Sequence, residues 1–334
     1  CGNGAGTSMM IKLNVEKVWA QPVDPNDLQS AWLTLNNMEF ADKVLDGSVP
    51  RYYQGRKGIE PAGAKGVYIL KTPIKESDGL LSIENDMSRQ RRADFLRKGM
   101  HPGKIESKFV YPMLGGRNIE RWRVKSNEFM LVPHTAEAKY GLSEVELVRE
   151  APQTHSWLSF YKTELLASRI QNGKFFNAET QPFYRLDNVG EYTFSPYKVL
   201  WKEQTGSMSA VVVGSYLNSI PNADSSLFNG DKEIVIDSKV LMLASDTLEE
   251  AHYICGIINT PIIRYVIDGY AVSTNRGVDV LKYIAIPKFD ITNEIHKFIS
   301  EVSLEIHSLK KLNANADIND LEEKLNELVL GLFA

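Results

Sequence analysis

Arg117, Asn118, Arg121, Trp122 and Arg123 bring three guanidiniums, an amide and an indole into seven residues, and similar mixtures recur along the chain. Arg51, Tyr52, Gln54, Arg56 and Lys57 share one stretch, Lys174 lies in QNGKFFN, and Ser273, Asn275 and Arg276 lie in STNRG. Arg91, Arg92 and Lys98 form a cationic run, and Lys198 and Lys202 flank the VLW of YKVLWKE. A guanidinium reads a guanine edge through two parallel hydrogen bonds, carboxamides read adenine, and lysines or hydroxyls hold phosphates. These residues are the candidate DNA contacts, with Arg276 expected to read a base and Lys98 to hold a phosphate. The competing reading is an ordinary polar surface, since loops are polar in any soluble protein and loop aromatics more often pack than stack on bases.

Other chemistry is missing. RYYQGRKGIEPAGAKGVYILK, residues 51–71, holds five cations and four glycines, yet no strand, glycine turn and helix follow in that order and no Lys-Ser/Thr closes the loop. Its glycines fit a tight turn or a close backbone approach better than a phosphate cradle. EEAH at 249–252 places carboxylates and an imidazole within one helical turn, but lacks the second histidine of a zinc protease helix. His101, His134 and His155 are tied to no Ser or Cys nucleophile. No catalytic residue and no metal ligand set is assigned.

The net charge of −4 argues against a nucleic-acid partner when taken over the whole chain. Its distribution argues the other way. Residues 1–125 carry 20 Lys and Arg against 14 Asp and Glu, and residues 126–334 carry 18 against 28. Within 89–125 there are 11 cations and 3 anions, a local field expected to attract a polyanion unless it is merely a solvated basic face. The two cysteines, Cys1 and Cys255, make neither a disulfide framework nor a zinc spacing. No apolar run approaches the roughly 18–20 residues that span a bilayer, and no secretion signal is visible, so the expectation is a soluble cytoplasmic protein with no membrane partner.

The candidate loops need a scaffold, and the hydrophobic pattern outlines one. Strands are predicted at GVYILK (66–71), EFMLVPH (128–134), YKVLWKE (197–203), SAVVVGSYL (209–217) and KVLMLAS (239–245). Leu28, Trp32, Leu35 and Phe40 suggest a short helix. Trp157, Tyr161, Leu165 and Arg169, spaced by four, predict one helix from about 152 to 170. DTLE, with Glu249 at the third helical position, caps a helix that is interrupted at Pro261. Ile295, Phe298, Ile299, Val302, Ile306 and Leu309, then LEEKLNELVLGLF, predict a helical hairpin that packs on a neighbour. The fold class is mixed α+β. The chain divides into a tag or cut end at 1–10, an α/β region at 11–290 with room for two lobes meeting near 126–150, and the hairpin at 291–334.

The order of several segments resembles the C-terminal target-recognition region of bacterial adenine-specific DNA methyltransferases, including fused restriction-modification and phage-defence enzymes. The matching pieces are YYQGRKGIEPAGAKGVYIL, VYPMLGGRNIERWRV with LVPHT, LVREAPQTHSWLSFYKTELLASR, YTFSPYKVLWKEQTGSMSAVVV, EEAHYICGIINTPIIRYVI, RGVDVLKYIAIPKFD and LNELVLGLF, in that order over about 50–333. In that family a separate domain carries an Asn-Pro-Pro-Tyr-type motif for the target adenine and a glycine motif for S-adenosylmethionine. This chain has no Asn-Pro-Pro run, and CGNGAG is a poor substitute for the cofactor loop.

The resemblance therefore implies a β-rich double-stranded DNA recognition module without methyl transfer of its own. Its loops would face the major groove, segment 89–125 would hold phosphates, and the hairpin would dock a methyltransferase domain or subunit. That partner would bind S-adenosylmethionine and flip the adenine out of the stack. Two other readings stand beside it. A scaffold protein would use the C-terminal helices for assembly and would have no reason to gather Arg56, Arg121 and Arg276 on one surface, whereas a DNA reader must. A diverged intact methyltransferase would bind S-adenosylmethionine itself.

Overall fold

Strand Tyr197–Lys202 is apolar on both faces, because Leu200 points one way while Val199 and Trp201 point the other. A computed structural model of the chain describes residues 21–23, 30, 32–33, 39–172, 176–271 and 276–334. Within it this strand is central to an antiparallel sheet ordered Ala210–Val213, Tyr197–Lys202, Val240–Ser245, Arg56–Lys57. A sheet covered on both sides needs near-continuous apolar strands, which is why AVVV and VLMLA do not alternate with polar residues. Leu200, Val211, Val213, Val240 and Met242 enter one core, and Val199, Trp201, Ala210, Val212, Leu241 and Leu243 enter a second.

The first core is closed by a second four-stranded sheet, ordered Val235–Ile236, Val110–Leu114, Glu128–Leu131, Ile69–Leu70. Its pairs are antiparallel except that Val235–Ile236 runs parallel to Val110–Leu114. A three-stranded sheet, Ile74–Lys75, Leu81–Ile83 and Gly103–Ile105, and the helices Glu144–Glu150, Pro152–Ser159 and Lys162–Asn172 complete this side. Helices Leu248–Asn259, Pro261–Tyr270, Glu294–Leu312 and Asn319–Leu332 cover the other face. The two cores draw on interleaved stretches of chain. The result is the mixed α+β class that the pattern predicts.

Helix Leu248–Asn259 lies so close to Glu294–Leu312 that a Cβ at Gly256 would sit 2.9 Å from Ile299 Cγ2. The C-terminal pair is a hairpin, as expected, and it buries Ile299, Val302, Ile306, Leu325 and Val329 in the chain's own second core. The edge strand of the first sheet, Ala210–Val213, is buried, and side chains from these helices cap its outer side. Asn259 accepts from the Ala210 amide (2.8 Å) and donates to its carbonyl (2.9 Å), and His307 Nε2 accepts from the Val212 amide (3.0 Å). Unpaired strand groups are thereby satisfied without a further strand. Among the described residues no helix is long and apolar enough to cross a membrane.

Several local expectations need correction. The predicted single helix over 152–170 is two, because the Phe160 and Tyr161 amides bond three residues back, to Trp157 and Leu158, and tighten the chain. The stripe itself survives: Trp157, Tyr161, Leu165 and Arg169 are all buried. GVYILK is half helical, Lys65–Tyr68 forming one turn before Ile69–Leu70. Gly66 presses on Gln90 there, where a Cβ would come within 2.6 Å of Gln90 Cβ. Trp32–Leu33 is a strand with Trp32 outside and Leu33 inside, and the helix begins only at Glu39–Val44; Leu28 and Leu35 lie outside the described residues. The cap of Leu248–Asn259 is Thr247, one residue later than predicted, and it accepts from the Glu250 amide. Pro261 ends that helix by opening the next at its first position, where the missing N–H leaves no donor unpaired.

Candidate nucleic-acid interface

Ends of strands from both four-stranded sheets meet at one rim. The chain leaves Val235–Ile236 at Asp237 and enters Val240–Ser245, so residues 237–239 bridge the sheets. The Asp237 amide donates to Leu114 O (3.0 Å), Ser238 to Ile59 O (3.0 Å), and Gly58 to Val240 O (3.1 Å). Position 58 has no room for a side chain, since a Cβ would fall 2.4 Å from Asp237 O. That is the close backbone approach expected of glycine in this loop. Lys57, Lys202 and Lys239 stand at strand ends of one sheet, and Arg117 follows Val110–Leu114 of the other through a turn held by Asn118 Oδ1 on the Gly115 amide (2.7 Å).

Arg89 Nη2 lies 2.8 and 2.6 Å from the two oxygens of Glu128, and Arg117 pairs with the same carboxylate. Lys65 Nζ reaches Asp237 at 2.5 Å, and Lys57 and Lys239 share Glu203 at 2.9 and 2.8 Å. Burial would push Glu203 up, but hydrogen bonds from Lys239 and Lys57 offset it and hold the carboxyl below its ordinary range. Arg91 reaches only the Ser88 and Gln90 carbonyls, and Lys202 has no carboxylate partner among the described residues. A cavity of about 390 Å3 opens between Lys65, Ser88, Arg89, Arg91, Arg117 and Asp237. Seven cations here (57, 65, 89, 91, 117, 202 and 239) face five carboxylates (60, 86, 128, 203 and 237), leaving a formal +2 on a chain of net −4. Guanidiniums that share one carboxylate keep donors for an incoming phosphate oxygen.

The rim gathers Lys57, Arg91, Arg117 and Lys202 from the predicted contacts and adds Lys65, Arg89 and Lys239. Lys65 stood between the glycines of the 51–71 loop and Arg89 in the cationic run, so both could be counted. Nothing local marks Lys239. Tyr52 and Gln54 are exposed just before the strand, and Arg56 is exposed over the Tyr192 ring at 5.6 Å.

Other predicted contacts hold the fold together. Arg276 is 1% exposed, its Nη2 2.8 Å from Asp268, and it cannot reach a base. Lys198 is equally buried; it shares a sheet face with Leu200 and donates to Ser195 O at 2.6 Å, and burial pulls it down to about 7. Arg51 donates to the Val49, Asp46, Lys282 and Tyr283 carbonyls, fastening two loops. Arg121 pairs with Glu322 of the last helix (2.9 Å), Arg92 with Asp94 (2.7 Å), and Lys98 with Glu164 (3.5 Å) over the Phe160 ring. Arg56, Arg121 and Arg276 therefore do not share a surface, contrary to the expectation for a DNA reader; burial removes Arg276 and the ion pair with Glu322 occupies Arg121. Lys174, Ser273 and Asn275 lie outside the described residues. The field expected from 89–125 is largely neutralised, since nine of its eleven cations have a carboxylate within 4.0 Å, Arg91 and Arg97 being the exceptions. His252 of EEAH is buried against Ser303, and no group of three or more potential metal ligands occurs among the described residues.

No family model matches the chain, and no curated protein does. Among solved structures it is similar to the Type IIL restriction-modification enzyme MmeI in complex with DNA, at 12% identity and a TM-score of 0.48, over 85% of this chain and 33% of that one. The chain thus spans about a third of that enzyme's length.

Proposed function

We propose that this chain is a double-stranded DNA recognition module of a restriction-modification or adenine methyltransferase system, and that the rim where the two sheets meet is its phosphate-binding surface. The observation that carries the reading is the local excess of seven cations over five carboxylates around an open polar cavity. Lys57, Arg91, Arg117 and Lys202 hold backbone phosphates, and Tyr52, Gln54 and Arg56, exposed beside Lys57, reach for base edges. The motif order over about 50–333 supports the choice of system. Methyl transfer and S-adenosylmethionine binding belong to a separate domain or subunit.

Duplex binding measured across a salt series tests this. Affinity falls with added salt, with a slope of about −0.9 for each phosphate neutralised. Lys202→Ala and Arg91→Ala each reduce that slope by about one and weaken all sequences alike. Glu128→Gln frees two guanidiniums from their shared carboxylate, so it tightens binding and steepens the salt dependence. No duplex binding at low salt, or binding indifferent to salt, removes the proposal. If Glu128→Gln weakens binding, the rim is the wrong surface.

A further inference from the structure

A second cavity, of about 420 Å3, lies apart from the rim, between the edge strand Ala210–Val213, the turn at Trp122 and helix Glu294–Leu312. Its walls include Trp122, Tyr197, Leu248 and Leu304, and no Asp or Glu lines it. That volume and mixed polar and apolar lining suit a small organic molecule that has both kinds of group.

One polar group in the wall is unspent. His252, 3% exposed, places Nδ1 3.2 Å from Ser303 Oγ. That contact is the hydroxyl's sole hydrogen bond among the described residues, and with the Ser303 O–H donating to Nδ1 the imidazole proton sits on Nε2. In that tautomer Nε2–H has no protein partner among the described residues, and His252 lines the cavity. Burial, with His307 beside it at 4.7 Å, pushes His252 down to about 2, so it is a neutral donor at physiological pH. His307 offers nothing to a ligand, since Nδ1 donates to Ser303 O and Nε2 accepts from Val212.

Two cations border the same space. Lys311, one helical turn beyond His307, donates to Asn218 O at 2.6 Å and has no carboxylate partner among the described residues. Arg123 is held by Glu120 at 2.8 Å. A donor in the wall, positive charge at the border, apolar sides and no lining carboxylate together select an anion with a hydrophobic body. We propose that this cavity is a binding site for a small carboxylic acid, its carboxylate accepting from the polar groups of His252 and Lys311 and its hydrocarbon part lying among Trp122, Leu248 and Leu304. The site is independent of the DNA-binding rim.

Titration calorimetry of the full chain with 3-phenylpropionate and with its neutral amide tests the assignment. The acid binds about tenfold or more tightly than the amide, equivalent to 1.4 kcal/mol. Binding holds steady from pH 6 to 8 because His252 stays neutral. Lys311→Met, at an exposed position, weakens the acid about tenfold and leaves the amide unchanged, and Leu304→Trp, at a partly exposed wall position, blocks both. Equal binding of acid and amide, no binding of either, or wild-type affinity in both variants overturns the proposal.

Discussion

Replacing Trp122 with alanine lowers the stability of the chain by about 3–5 kcal/mol, and replacing it with glycine lowers it by several tenths to about 1 kcal/mol less. Trp122 is 1% exposed and occupies the two-residue turn between Ile119–Glu120 and Arg123–Val124. Its φ is +69°, the left-handed region that an L side chain enters at a cost and glycine enters freely. The surroundings hold it there. Its amide donates to Ala210 O (3.0 Å), its indole N–H donates to Glu322 Oε1 (2.8 Å), and its ring meets His307 edge-on at 5.2 Å. Alanine loses the packing and keeps the strain, whereas glycine loses the packing and sheds the strain, offset in part by a more flexible unfolded chain. Urea unfolding of the three proteins gives the order directly. A glycine variant less stable than alanine would falsify the strain argument. Glu322→Gln, which still accepts from the indole but loses its charge toward Arg121, falls between wild type and Glu322→Ala.

Elements whose cause is local were legible in the sequence. The strands at 197–202, 210–213 and 240–245 showed as apolar runs because each is buried on both faces, and the C-terminal helices showed through their helical spacing. Charge was legible as an amount and illegible as a partnership. Arg121 finds Glu322 201 residues away, Lys65 finds Asp237 at 172 and Lys57 finds Glu203 at 146, so no window along the chain shows which cations remain available. Arg276 sits in a polar stretch that reads as surface, yet Asp268, eight residues back on a helix, draws it inside. Lys198 did carry a local signal, since the two-residue period places it with Leu200 on a core face. The composition of YKVLWKE concealed that geometry. The strained Trp122 stood among the arginines of 117–123 and looked like a contact residue, because a left-handed conformation leaves a trace in sequence only when glycine or asparagine occupies it.

Acidification from about pH 7.5 to 5.5 destabilises the chain by about 3 kcal/mol through two buried histidines alone, at about 1.4 kcal/mol each one unit below their ordinary value near 6.5. Burial pushes His134 down to about 3, with Arg169 and Arg185 adding to the effect, and burial with His307 alongside pushes His252 to about 2. The unfolded chain therefore takes up protons near pH 6.5 that the folded chain refuses. Stability from these neutral imidazoles is fully present above that pH and is lost progressively as pH falls through it toward the folded values. His307, lowered by burial to about 4, acts in the same direction, because protonating Nε2 breaks its bond from the Val212 amide and uncaps the edge strand. Carboxylates do not imitate this behaviour, since their ordinary range lies below the window. His134 Nε2 accepts from the Leu186 amide at 2.9 Å, a bond that a glutamine oxygen can replace without titrating. His134→Gln therefore reduces the loss of urea stability between the two pH values by about 1.4 kcal/mol, whatever its stability at neutral pH. Equal losses in wild type and variant would show that His134 takes up a proton in the folded chain, in which case the pairing with Leu186 could not be as described.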